Sequence, residues 1–138
     1  MAQERIILGM RSAFQNDYAK GFNESYEVLC LWSPADVCLF AKRYSGSIVA
    51  IILEADFLLS AIKWRSTFIE DIRAVTAATI IVFCLRIYSK AELEEISGKV
   101  DSMAMVLYPA PPSDVFQRAL AIKVWSARQA AQQKAVSQ

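Results

Sequence analysis

The stretch IVAIILEAD, residues 48–56, sets six consecutive aliphatic residues before two acids. Unbroken apolar runs of this kind form strands at the centre of a parallel sheet, where helices cover both faces and no polar alternation is required. A strand is expected over 48–54, with Glu54 at its end and Asp56 just beyond. Working back towards the amino terminus, Ser33-Pro34 supplies an N-cap and a first-turn proline, and Val37, Phe40, Ala41 and Tyr44 keep helical spacing until Gly46. A strand at 26–32 precedes that helix. Phe14, Tyr18 and Phe22 make one stripe of an earlier helix ending near Asn23, and the first strand falls at 5–8.

Towards the carboxyl terminus, Thr67 with Glu70 forms a capping-box pattern ahead of Phe68, Ile69, Ile72 and Val75. A strand is expected at 79–85. Ser89 with Glu92 repeats the pattern before Leu93 and Ile96, and a fifth strand is expected at 103–107. The prolines of Tyr108-Pro109-Ala110-Pro111-Pro112 stiffen the loop that follows. Ser113 or Asp114 caps a last helix reaching about Ala131, and 132–138 form a polar tail or the start of a linker to an output domain. The apolar runs 47–62 and 74–85 both read as buried strands rather than membrane spans, because the first contains Glu54 and Asp56 and the second is too short. The alternation of strands and helices predicts one α/β domain over 1–131, a doubly wound (βα)5 fold with a parallel five-stranded sheet. Its functional residues are expected just after the strands.

Composition narrows the chemistry. The chain has 138 residues, 55% of them hydrophobic and 21% charged, which suits one well-packed domain and excludes intrinsic disorder of its body. Fifteen basic against fourteen acidic residues give a net charge of +1, too little basic excess for direct nucleic-acid binding. No histidine is present, which removes histidine-based triads and HExxH metal sites. Cys30, Cys38 and Cys84 are odd in number and form no CxxC, and the amino terminus lacks a signal-peptide pattern, so reduced core thiols in a cytoplasmic protein are expected. No GxGxxG or GxxxxGK[ST] occurs, and GMRSAF after the first strand is a poor flavin phosphate loop.

By element order, length and the character of each strand end, residues 4–131 resemble the receiver domain of two-component response regulators, a CheY-like (flavodoxin-like) three-layer sandwich. Members of that family carry an acid pair after strand one, a phosphoacceptor aspartate ending strand three, Thr or Ser ending strand four, and Lys-Pro after strand five. Here Met10 and Arg11 stand at the acid pair, Glu54 at the acceptor, Cys84 at the hydroxyl position and Tyr108-Pro109 at Lys-Pro. The thirty-residue spacing of Glu54 and Cys84 matches the family register, and a slip of two would put Asp56 at the acceptor. Phosphorylation of an aspartate needs Mg²⁺ held by carboxylates, yet Met10 cannot ligate it and Arg11 repels it. The resemblance therefore implies a degenerate, phosphorylation-independent receiver with no catalytic residues, metal or cofactor. Glu54 could be a product of drift, a mimic of the phosphorylated state or a structural partner. An ion pair between Arg11 and Glu54 is expected, replacing the metal.

Such a domain would act by contact. On the last helix Phe116, Ala119, Leu120, Val124 and Ala127 would face the sheet, while Val115, Ile122 and Trp125, with Arg118 among them, form a second stripe. Receivers commonly dimerise through helix four, strand five and helix five, so a homodimer or partner protein is expected on this face. Tyr88 and Trp64 are further candidate contacts. Glu92, Glu94 and Glu95 read as a solvated face beside Lys90 and Lys99. The alternative is a small α/β enzyme or ligand-binding protein with a pocket at the strand ends.

Overall fold

Residues 48–54 do form a strand, and it lies in the middle of the sheet. The computed structural model describes residues 3–11, 15–20, 26–100 and 105–109. Strands β1 (Arg5–Gly9), β2 (Glu27–Leu31), β3 (Ile48–Glu54), β4 (Thr79–Cys84) and β5 (Met105–Pro109) pair in parallel in the order β2-β1-β3-β4-β5. The winding reverses between β1 and β3, which opens the crevice at the carboxyl ends of those strands. Helices α1 (Gln15–Lys20), α2 (Pro34–Arg43), α3 (Ala55–Trp64), α4 (Phe68–Val75) and α5 (Lys90–Ser97) complete the described elements.

Alternate residues of the central strands enter two apolar layers. Ile7, Ile51, Leu53, Ile80, Val82 and Cys84 pack with α2, α3, α4 and α5, whereas Ile6, Leu8, Ile52, Ile81 and Phe83 pack with Tyr18 and Ala19 of α1. Both faces of β3 are thus covered, which is why its sequence shows no alternation. Phe57, Phe68 and Phe83 are among the largest fully buried side chains, and each contributes roughly 1.5–3 kcal/mol of transfer free energy. The Tyr18 and Phe83 rings stack at 4.9 Å.

Several expectations need correction. The run 47–62 is not one strand: β3 ends at Glu54 and passes without a loop into α3. Glu54 makes this possible, because its backbone stays extended (φ −72°, ψ 143°) while its carboxylate caps the first turn. Thr67 closes no capping box; its φ of −92° and ψ of 15° leave the extended region, and its hydroxyl donates to Asp71 Oδ2 at 3.1 Å instead. Ser89 and Glu92 do form the reciprocal box, with Ser89 extended at ψ 162°. The fifth strand lies two residues later than expected, so Tyr108-Pro109 end β5 rather than follow it. The remaining boundaries move by a residue or so: β1 runs to Gly9, β2 is Glu27–Leu31 and β4 stops at Cys84. The expected last helix, with Val115, Arg118, Ile122 and Trp125, lies outside the described residues, as do Phe14 and Phe22.

Candidate functional site at the carboxyl ends of the strands

Beyond β1 the chain fills the crevice with uncharged groups. Met10 is fully buried and its N–H donates to Leu31 O at 3.3 Å. Gln15, also buried, donates through Nε2 to the carbonyls of Leu8, Met10 and Leu31, tying the ends of β1 and β2 together. Above Gly9 lies the Phe57 ring: a Cβ on Gly9 would meet Phe57 Cε1 at 2.9 Å and Leu53 Cδ2 at 2.8 Å, closer than side-chain carbons approach. Glycine is required here for space, and the aromatic ring occupies the space it leaves.

Glu54, only 4% exposed, points inward. Its Oε2 accepts from Phe57 N–H at 2.8 Å and its Oε1 from the Tyr88 hydroxyl at 3.3 Å. Burial, the dominant influence, raises the Glu54 carboxyl above its ordinary value; the Phe57 and Asp56 N–H groups and Tyr88 act against it. Its neighbours respond. Burial first, then the charges of Glu54 and Asp56, push the Cys84 thiol up to about 11 and the Tyr88 phenol upward as well. Cys84 therefore stays a thiol at neutral pH, an inert core group. Tyr88 is 6% exposed, so its expected place on a contact surface is overturned; the hydroxyl is needed inside, on Glu54.

The expected Arg11 to Glu54 pair does not form either. Arg11 is exposed; its Nε donates to Trp32 O at 2.7 Å and its guanidinium lies 6.0 Å from the Phe57 ring centroid. Keeping a guanidinium hydrated at the rim costs less than burying it beside an acid whose hydrogen bonds are already filled.

The cation at the site is Arg86, which the sequence reading did not single out. Arg86 Nε and Nη2 grip Asp56 at 3.2 and 2.8 Å, and Nη2 also meets Glu92 Oε2 at 2.8 Å. The guanidinium stacks on the Tyr88 ring, 3.8 Å from its centroid. Arg86 holds the Glu92 carboxyl down to about 2, aided by the Ser89 N–H, and the two carboxylates raise Arg86 in turn. Glu92 is thus a partner of Arg86 rather than part of a free acidic face, and Lys99 pairs with Glu70 at 3.4 Å. No spacing rule singled out this pair: the β3–β4 register sets Glu54 opposite Phe83, and Asp56 and Arg86 meet because each lies just past the end of one of these adjacent strands.

Among the described residues no three His, Cys, Asp or Glu side chains are grouped to hold a metal ion, and no helix is long and apolar enough to cross a membrane. An open cleft of about 370 Å³ lies at the opposite end of the sheet, lined by Ser45, Gly46, Ile48 and Thr76–Thr79, away from every side chain above.

No family model matches this chain, and no curated protein matches it. Among solved structures it is similar to a yeast Spc42 trimeric coiled-coil segment (amino acids 181–211) fused to another solved structure, with a TM-score of 0.67 and 13% identity over 99% of this chain and 91% of that one. It is also similar to a Burkholderia pseudomallei protein described as related to pilus assembly, with a TM-score of 0.54 and 15% identity over 86% and 90%. At such identities the likeness concerns the fold alone.

Proposed function

We propose that this chain is a degenerate receiver, a cytoplasmic signalling module that acts through protein contacts without being phosphorylated. The strand order β2-β1-β3-β4-β5 is the one used by flavodoxin-like doubly wound sheets and supports the resemblance read from the strand ends. The observation that carries the reading is the inward turn of Glu54: both its oxygens are engaged by Phe57 N–H and Tyr88 OH, so it serves as a helix cap and not as a group offered to a phosphodonor. Asp56, the other acid at this strand end, is clamped by Arg86, and buried Met10 with the Phe57 ring fills the place where Mg²⁺ would need carboxylates and water.

Output then depends on contact. The residues proposed for that contact, read from the sequence alone, are Val115, Arg118, Ile122 and Trp125, with a second copy or a partner protein as the occupant. The alternative, a ligand-binding protein or enzyme with its pocket at these strand ends, loses support where Phe57, Met10 and Gln15 fill that space.

Incubation with Mg²⁺ and acetyl phosphate or beryllofluoride tests the first part: no spectral change, no heat of Mg²⁺ binding and no base-labile phosphate on Glu54 or Asp56 are expected. Stoichiometric acyl phosphate at either residue would overturn it. Sedimentation of the wild type against Trp125→Glu tests the second, with loss of the dimer and an unchanged circular dichroism spectrum expected. A wild type that stays monomeric at high micromolar concentration would rule out self-association.

A further inference from the structure

Between β4 and α5 three consecutive residues take three different environments. Arg86 lies at the surface in its double ion pair, Ile87 is 82% exposed, and Tyr88 is buried. An isoleucine in water next to a tyrosine in the core is the reverse of what transfer free energies favour, so something other than apolar burial selects this arrangement. The groups that select it surround the Arg86 guanidinium. Arg86 draws together Asp56 on the first turn of α3 and Glu92 on the first turn of α5, donates to its neighbour's carbonyl at Ile87 O (3.1 Å), and sets its guanidinium over the Tyr88 ring.

We propose that residues 85–89 form a strap that opens and closes over the end of β4, held shut by the Arg86 clasp and carrying Tyr88 as the side chain it delivers to Glu54. Closed, the strap buries Tyr88, completes the hydrogen bonds of Glu54 and displays Ile87. Open, it swings Tyr88 into water and leaves Glu54 without its hydroxyl partner. The buried end of the device is a single 3.3 Å hydrogen bond and one ring, while its outer end consists of side chains that remain one-third to one-half exposed. Exposed ion pairs weaken with ionic strength, so the surface charges set the position of a buried residue. The groups facing Glu54 are Tyr18 on α1, Asp56 on α3, Cys84 on β4 and Tyr88 on the strap; of these, Tyr88 is the one the strap carries. The strap needs neither a phosphodonor nor a partner, and it stands or falls separately from the proposed function.

Nitration by tetranitromethane, which attacks the phenolate, reads strap opening residue by residue when followed by peptide mass spectrometry. Tyr18, buried against the other face of the sheet, is the internal reference. Arg86→Ala should nitrate at Tyr88 about tenfold faster than the wild type, with Tyr18 unchanged, since two ion pairs and a cation–π contact are lost together. In the wild type, Tyr88 nitration should rise from about 0.05 to about 1 M salt while Tyr18 does not. If Arg86→Ala does not fold, Glu92→Gln removes one of the two ion pairs and should give a smaller acceleration at the same site. A Tyr88 rate indifferent to salt and to these substitutions would overturn the strap, and so would Tyr88 and Tyr18 accelerating together, which marks loosening of the whole domain.

Discussion

Glu54 and Asp56 stand two residues apart at one strand end and belong to different solvents. Glu54 is sealed in the core, accepts two hydrogen bonds and has its carboxyl raised by burial; Asp56 is half-exposed and bonded to a guanidinium. The strand–helix junction accounts for the split. Glu54 is the last extended residue and turns its side chain over the new helix, whereas Asp56 projects from the first turn towards Arg86. Two carboxylates separated by one alanine thus share a neighbourhood while sitting in different environments, and neither can substitute for the other.

The comparison is most severely tested by deleting each acid. Glu54→Ala removes the α3 cap and strands the buried Tyr88 hydroxyl, and should cost about 2 kcal/mol in urea unfolding. Asp56→Ala should cost clearly less. Equal losses would mean that burial does not distinguish the two.

Tyr88→Phe sharpens the contrast at about half that size. Losing the 3.3 Å hydrogen bond should cost about 1 kcal/mol, and because the hydroxyl lowers the Glu54 carboxyl, its removal should move the Glu54 titration further up, as followed by carboxyl-carbon NMR.

The pH profile separates Glu54 from Glu92, which lies at the other end of the clasp. The Glu54 carboxyl is raised in the folded state above its ordinary 4.5, so the stability it contributes is complete below 4.5 and is lost as pH rises through the raised value. Glu92 is lowered to about 2, so its contribution is present above 4.5 and is lost as pH falls towards 2. Glu54→Gln should flatten the decline on the alkaline side of 4.5 and leave the acid side alone; Glu92→Gln should do the opposite. Thermal melts across that range read both.

Asp56→Asn should have the smallest effect. It leaves Arg86 its Glu92 partner, and the difference from wild type should shrink further as salt is raised.

The legible parts of this molecule were those where one signal dominated. The uninterrupted aliphatic run 48–53 with Glu54 at its end marked β3 residue for residue, and Ser89 with Glu92 closed its box because the chain enters α5 extended. The same motif at Thr67 failed because its backbone, already turning at ψ 15°, leaves the hydroxyl on the Asp71 carboxylate and not on a backbone N–H of the first turn. Helix α3 was hidden because its cap is a glutamate, outside the usual Ser, Thr, Asp and Asn, and because its apolar residues continue those of the strand without a break. At the site, Arg11 was the wrong cation: the adjacent ends of β1 and β3 suggested it, but its guanidinium turns to Trp32 O, and Arg86, just past β4, is the cation that meets an acid beside β3.

The close approach at Gly9 bears finally on what this strand end could be made to hold. An acid placed at Met10 would enter a fully buried position, and Phe57 would still lie across the strand end, with no room left for a hydrated cation. Shrinking Phe57 alone would open a hole beneath Arg11 with nothing charged to fill it, a loss of several kcal/mol before any gain. Each single step towards a metal site is therefore downhill in stability, and only a paired change could cross. The packing acts as a barrier: a hydrated cation is kept from this strand end by one aromatic ring resting on one glycine.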